Sequence, residues 1–308
     1  MTMDIAWPRR LGFAVIVTVL AALAPARAQG RIEVVTSFSI LADFAKNVGG
    51  DRTDVITLVG PNGDVHVFTP SPEDARKVAA AKLVVVNGLG LEGWLPRLVQ
   101  ASGGKATIVV ATKGIPPRKP AVGERPGRRD GEDAVDPHAW QSVPNAKIYV
   151  ANIRDALISA DPAGEAAYRT NTAAYLTKLD ALDREIREAV AQIPLARRKV
   201  ISTHNAFSYF EAAYGVAFIA PQGVSTDSEP SARDIAATIT QIRAAKIPAI
   251  FLENLSDDRL IQRIAAETGA RVGGTLYSDS LSDEKGDAPT YIDMVRHNIK
   301  ALTSALTN

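Results

Sequence analysis

Short aliphatic and β-branched runs alternate along this chain with stretches whose apolar positions recur every three or four residues. Residues 32–36 read as a strand, and a helix through 40–45 stops at Gly49-Gly50. A second strand, 55–59, ends in the turn cluster Gly60-Pro61-Asn62-Gly63. Ser71-Pro72-Glu73-Asp74 then supplies an N-cap, a proline at the first helical position and early acids, so a helix starts there. Residues 83–87 suit a buried parallel strand, and 107–110 form another. This alternation predicts an α/β fold with helices on both faces of a parallel sheet.

Residues 113–133 break the pattern. Pro116, Pro117, Pro120 and Pro126, with glycines and alternating charges, leave no apolar period, and we read a mobile surface loop there. Beyond it, 145–160 is amphipathic, and Asp161-Pro162 opens a long helix that ends near Ile193-Pro194. Tyr168, Tyr175, Leu179, Leu182, Ile186 and Val190 mark its apolar face. A helix of about 30 residues spans about 45 Å, more than one compact lobe requires, so it is expected as a spine between two. The second half repeats the first, with strands at 199–202, 249–253 and 271–276 and helices at 207–214, from 230, at 257–268 and from 290. The predicted fold class is therefore α/β: two lobes, each a parallel sheet flanked by helices, joined by one long spine helix. The expected boundaries are an N-terminal lobe at 29–160, the connecting helix at 161–194 and a C-terminal lobe at 195–308.

Residues 1–28 carry the marks of a secretory signal peptide: Arg9-Arg10, an apolar run of 14 residues from Leu11 to Ala24, and Ala26-Arg27-Ala28 as a cleavage site. The run is shorter than the about 20 residues a membrane span needs, so export to the periplasm is expected. Removing this segment takes away Arg9, Arg10, Arg27 and Asp4, leaving 32 basic against 33 acidic residues. That near-neutral balance argues against nucleic acid as a partner. The chain has no cysteine, which removes thiolate metal ligands, cysteine redox chemistry and a lipid-anchored cysteine from consideration. A chain of this length is stable without disulfides.

The four histidines change the picture most. Three stand in distinctive local settings: Asp64-Val65-His66 before a Pro-rich turn, Asp136-Pro137-His138-Ala139-Trp140, and Ser202-Thr203-His204-Asn205. They are separated by 72 and 66 residues, so only a fold can bring them together. Neutral imidazoles from three loops plus a carboxylate make a nitrogen/oxygen cage suited to zinc. Asp279, directly after the 271–276 strand, is the expected carboxylate, while Asp283 and Asp287 fit a loop. Ligands converge at the carboxyl ends of strands in open α/β sheets, where His66, His204 and Asp279 are placed. Glu253 also ends a strand, and reads either as an acceptor orienting an imidazole or as a cap for the 257–268 helix. His297, inside the last helix, is expected to be solvated.

With these segments, and with Leu276-Tyr277-Ser278-Asp279-Ser280-Leu281, the chain resembles the metal-binding solute receptors of bacterial ABC importers for zinc and manganese, and most of all the zinc receptors. The resemblance covers nearly the whole mature chain and implies metal held between two lobes by His66, His138, His204 and Asp279. It also implies delivery to an ABC transporter permease driven by a cytoplasmic ATPase, by a monomer, with a metallochaperone as a further partner. Zinc receptors of the family often carry a His-rich loop before the second ligand, whereas residues 113–136 hold no histidine. Three imidazoles and one carboxylate favour Zn2+ over Mn2+, which prefers more oxygen ligands; a manganese receptor of the same type is the first alternative. A zinc hydrolase needs an open coordination position and a general base, and no His-Glu-x-x-His helix is present, so no enzyme is expected. A metal-dependent adhesin is a third reading of the same fold.

Overall fold

Two four-stranded parallel sheets carry the chain. In this computed structural model the described residues are Met1, 30–119, 135–255 and 257–307. The expected signal peptide beyond Met1, and the 113–133 loop from 120 onward, lie outside them. The first sheet contains β1 (Ile32–Phe38), β2 (Thr53–Val59), β3 (Leu83–Val86) and β4 (Thr107–Val110), in the order β2-β1-β3-β4. The second contains β5 (Lys199–Ile201), β6 (Ala217–Ile219), β7 (Ala249–Glu253) and β8 (Arg271–Leu276), in the order β6-β5-β7-β8. The two orders match, so each sheet reverses its winding at one point, between β1 and β3 and between β5 and β7. Such switch points open a crevice at the strand carboxyl ends.

Several helices begin where a side chain satisfies a first-turn amide group. Ser71 and Asp74 form a reciprocal capping box at α2 (Pro72–Ala80), and Ser231 and Asp234 do the same at α7 (Ala232–Ala245). Asp257 caps α8 (Asp258–Thr268), which ends at Gly269 in the left-handed region, φ +72°. Two elements were not anticipated from the sequence: α3 (Leu95–Ser102) and β6.

α1 (Ser39–Gly49), α4 (Val143–Ala160), α5 (Glu165–Ala191) and α9 (Tyr291–Leu306) pack together, with α5 touching the other three. The spine helix α5 has 27 residues, or about 40 Å at 1.5 Å per residue. Its face of Tyr168, Tyr175, Leu179, Leu182, Ile186 and Val190 is buried, as the three- and four-residue spacing predicts. One apolar core runs from Val34 and Phe38 through these residues to Phe251 and Leu306, so both sheets share it. Within that core, Asp43 of α1 accepts hydrogen bonds from the Tyr175 hydroxyl (3.1 Å) and the Tyr291 amide (3.2 Å), tying α1, α5 and α9 at one carboxylate. Burial pushes the Asp43 carboxyl above its ordinary pKa despite these donors.

Candidate metal centre

Each of the four expected ligands sits on a loop fixed by its own local chemistry. His66 follows the turn after β2, where the Asp64 carboxylate accepts its backbone N–H (2.8 Å). The other Asp64 oxygen accepts from Thr226 Oγ1 (2.6 Å), on the segment between β6 and α7. Trp94 Nε1 donates to Val65 O (2.8 Å) and holds the same loop from the opposite side. His138 repeats the Asp-x-His turn: Asp136 Oδ1 accepts from the His138 amide (2.9 Å) and from its Nδ1 (2.7 Å). Ser208 donates to the second Asp136 oxygen, and Asn87 Nδ2, just beyond β3, donates to Pro137 O (2.9 Å).

His204 follows β5, and its partner Glu253 closes β7, which places the pair at the switch point of the second sheet. Glu253 Oε2 accepts from His204 Nδ1 (2.6 Å), while Oε1 accepts the amides of Thr203 (2.8 Å) and His204 (3.0 Å). Asp279 follows β8; the preceding carbonyl of Ser278 accepts from Trp140 Nε1 (2.9 Å) and Gln141 Nε2 (2.6 Å), on the turn that follows His138.

These four side chains converge, and their ligand atoms all lie within 4.8 Å of one another. His138 Nε2 is 3.2 Å from His66 Nε2 and 3.4 Å from His204 Nε2. Asp279 Oδ2 lies 3.2 Å from His66 Nε2 and 3.1 Å from His204 Nε2, and Oδ1 lies 3.5 Å from His138 Nε2. A tetrahedron with metal–ligand bonds of about 2.0–2.1 Å has edges of about 3.3 Å, and the observed separations bracket that value. The side chains are almost fully enclosed, the most accessible being His66 at 4 %. Neither Asp279 oxygen has a hydrogen-bond partner, although both are buried. A buried carboxylate without donors is costly unless a cation compensates it.

The outer carboxylates fix the tautomers. Because Asp136 and Glu253 accept the Nδ1–H of His138 and His204, the Nε2 lone pairs of both rings face the centre, as metal ligation demands. With only protons to balance the charge, burial opposes ionisation of His138, but Asp279 and Asp136 outweigh it and raise its pKa to about 9. Burial likewise opposes the charged form of His204, and Glu253 and Asp279 carry its pKa well above the ordinary value. Burial pushes Asp279 up, yet the His204 and His138 cations hold it well below the usual carboxylate range. The centre therefore demands positive charge, supplied by protons or by a metal ion.

Other sequence readings sort differently. His297 is not solvated: it is half-buried, its Nε2 donates to Thr275 O (3.0 Å), and its ring meets Tyr277 edge-on at 5.1 Å. The helix turns it toward β8, which the exposed neighbour Arg296 does not foretell. Of the two readings of Glu253, the orienting one describes its contacts, because Asp257 itself caps α8 by accepting from Arg259 N (2.9 Å). Asp136 and Asp64 were not assigned roles from sequence; the shared Asp-x-His spacing was the available signal.

Three imidazoles and one carboxylate, gathered among two matched parallel sheets and a spine helix, form a donor set that could hold a metal ion. The periplasmic zinc-uptake complex component A (ZnuA) family matches residues 34–305, and the chain belongs to that family. The iron-binding protein YfeA of Yersinia pestis is 35% identical over 278 residues, covering 90% of this chain and 87% of the relative. The manganese-binding lipoprotein MntA of Halalkalibacterium halodurans is 33% identical over 276 residues, covering 90% and 89%. Among solved structures, the periplasmic zinc-binding protein TroA from Treponema pallidum aligns with a TM-score of 0.83 at 30% identity, over 91% of this chain and all of that one. The protein is thus a metal-binding solute receptor of the ABC-transporter class. The names of its relatives divide among iron, manganese and zinc.

Proposed function

We propose that this chain captures one divalent transition metal, zinc in preference, on His66, His138, His204 and Asp279, and delivers it from the periplasm to an ABC permease. The observation that carries the reading is the Asp279 carboxylate, buried without a donor and facing three imidazole nitrogens. In this reading residues 29–160 and 195–308 act as two lobes about the ion, with 161–194 joining them, and the receptor works as a monomer. Three nitrogen ligands favour zinc over manganese in the general affinity order, and four protein ligands leave no open position for hydrolytic water. One feature supports manganese or iron as a second reading: both Asp279 oxygens lie within 3.5 Å of imidazole nitrogens. A bidentate carboxylate would raise the coordination number to five, which suits harder ions. Metal analysis of protein purified without added metal, combined with competition titration of zinc against manganese and iron, tests the assignment. One bound zinc and tighter zinc affinity are expected; tighter manganese or iron binding overturns the preference.

A further inference from the structure

A groove with a volume of about 730 Å³ lies away from the metal cage, between α2 and α3. Its floor is apolar and aromatic, formed by Phe68, Pro70, Trp94 and Leu98, and its rim carries Arg76 and Arg97. Both arginines are exposed, and neither has a carboxylate partner among the described residues. Unpaired guanidinium groups over an apolar, Trp-containing floor are the composition of an interface centre, and guanidinium forks match carboxylates in two-bond geometry.

The groove is joined to the metal loop by short covalent and hydrogen-bonded links. Within residues 65–70, His66 faces the cage, while Phe68 and Pro70 line the groove. Trp94 stacks edge-on against Phe68 at 5.0 Å and donates to Val65 O (2.8 Å). Between them Val67 is 51% exposed. A partner seated here touches the loop that presents a metal ligand.

We infer that this groove seats an extracytoplasmic segment of the importer's permease that combines acidic and apolar side chains, its carboxylates paired with Arg76 and Arg97. The inference rests on the transport reading above. The volume suits a few apolar side chains, and the two cations specify the sign of the partner. Contact with Phe68 and Trp94 places the docked segment against the loop that carries His66.

The test uses the full mature receptor with the metal ABC permease–ATPase of the same organism in lipid nanodiscs, reading zinc-dependent stimulation of ATP hydrolysis. R76E/R97E is expected to keep its zinc affinity within about twofold of the unmodified protein and to lose at least about tenfold in apparent affinity for the permease. R76K/R97K should retain most of it, and K300E on α9 should match the unmodified protein. If the loaded, unmodified receptor stimulates no ATPase, the transport reading fails and the groove assignment falls with it. If it stimulates and R76E/R97E stimulates equally, the groove assignment alone is overturned. It is also overturned if R76E/R97E weakens zinc binding more than tenfold, or if native mass spectrometry finds a small anionic amphiphile in the groove while stimulation by the variant is unchanged.

Discussion

Metal binding at this centre is expected to be strongly coupled to pH. Zinc needs neutral imidazoles, yet without metal His138 titrates near 9 and His204 well above its ordinary value. At pH 7, two units below the His138 value, about 99% of that ring is protonated, and removing the proton costs about 2.7 kcal/mol. His138 alone therefore weakens apparent affinity about 100-fold at pH 7, and the penalty grows tenfold for each unit of acidification. His204, also held above its ordinary value, releases a further proton, so affinity should change more than tenfold per pH unit around neutrality. Calorimetry in buffers of different ionisation enthalpy should count about two protons released per ion at pH 7. Stability of the metal-free protein runs the other way. A histidine with raised folded-state pKa stabilises the fold fully below its unfolded value of about 6.5, and this contribution is lost as pH rises through about 9. Melting of the metal-free protein should therefore fall across that window, while the increment from saturating zinc widens. Affinity that is flat from pH 6 to 8, with no buffer dependence of the heat, would refute the electrostatic account.

Other consequences follow from the contacts around the cage. Asp136→Asn and Glu253→Gln keep an acceptor for Nδ1 but remove its charge; each should weaken zinc binding about 10–100-fold, measured by competition with a chromophoric chelator. His66→Ala, His138→Ala and His204→Ala should each cost more than about 100-fold in the same assay. His297→Ala should leave zinc affinity unchanged and lower stability by about 1 kcal/mol through its lost bond to Thr275; a ligand-like loss of affinity there would contradict the site. Thr226→Val removes the donor to Asp64, and should speed zinc release in stopped-flow chelator traps while leaving the far-ultraviolet spectrum unchanged.

The long elements were legible because their periodicity was long. Seven buried positions along α5, from Tyr168 to Val190, repeat at three- and four-residue steps, and the caps at Ser71 and Ser231 mark the starts of α2 and α7. The short elements were not. β6 has three residues at a sheet edge, and α3 has eight with only Leu98 buried, so neither shows a resolvable period. At the centre, the convergence of His66, His138, His204 and Asp279 was legible from their turn settings at strand ends. The contacts that hold them were less so, because Asp136 and Asp64 act through Asx-type turns that resemble ordinary loop chemistry, and Glu253 meets His204 across 49 residues. The contact of His297 with Thr275 is not legible, because a lone polar residue on a helix face carries no sign of the strand it will cross.

The central claim is that one ion sits where three imidazole Nε2 atoms and Asp279 meet. Crystals of the zinc-loaded protein, with anomalous data collected across the zinc edge, test it most directly. The expected result is a single strong peak about 2.0–2.1 Å from Nε2 of His66, His138 and His204 and from an Asp279 oxygen. A peak elsewhere on the molecule, or a fully loaded protein whose ion touches fewer than three of these side chains, would contradict it.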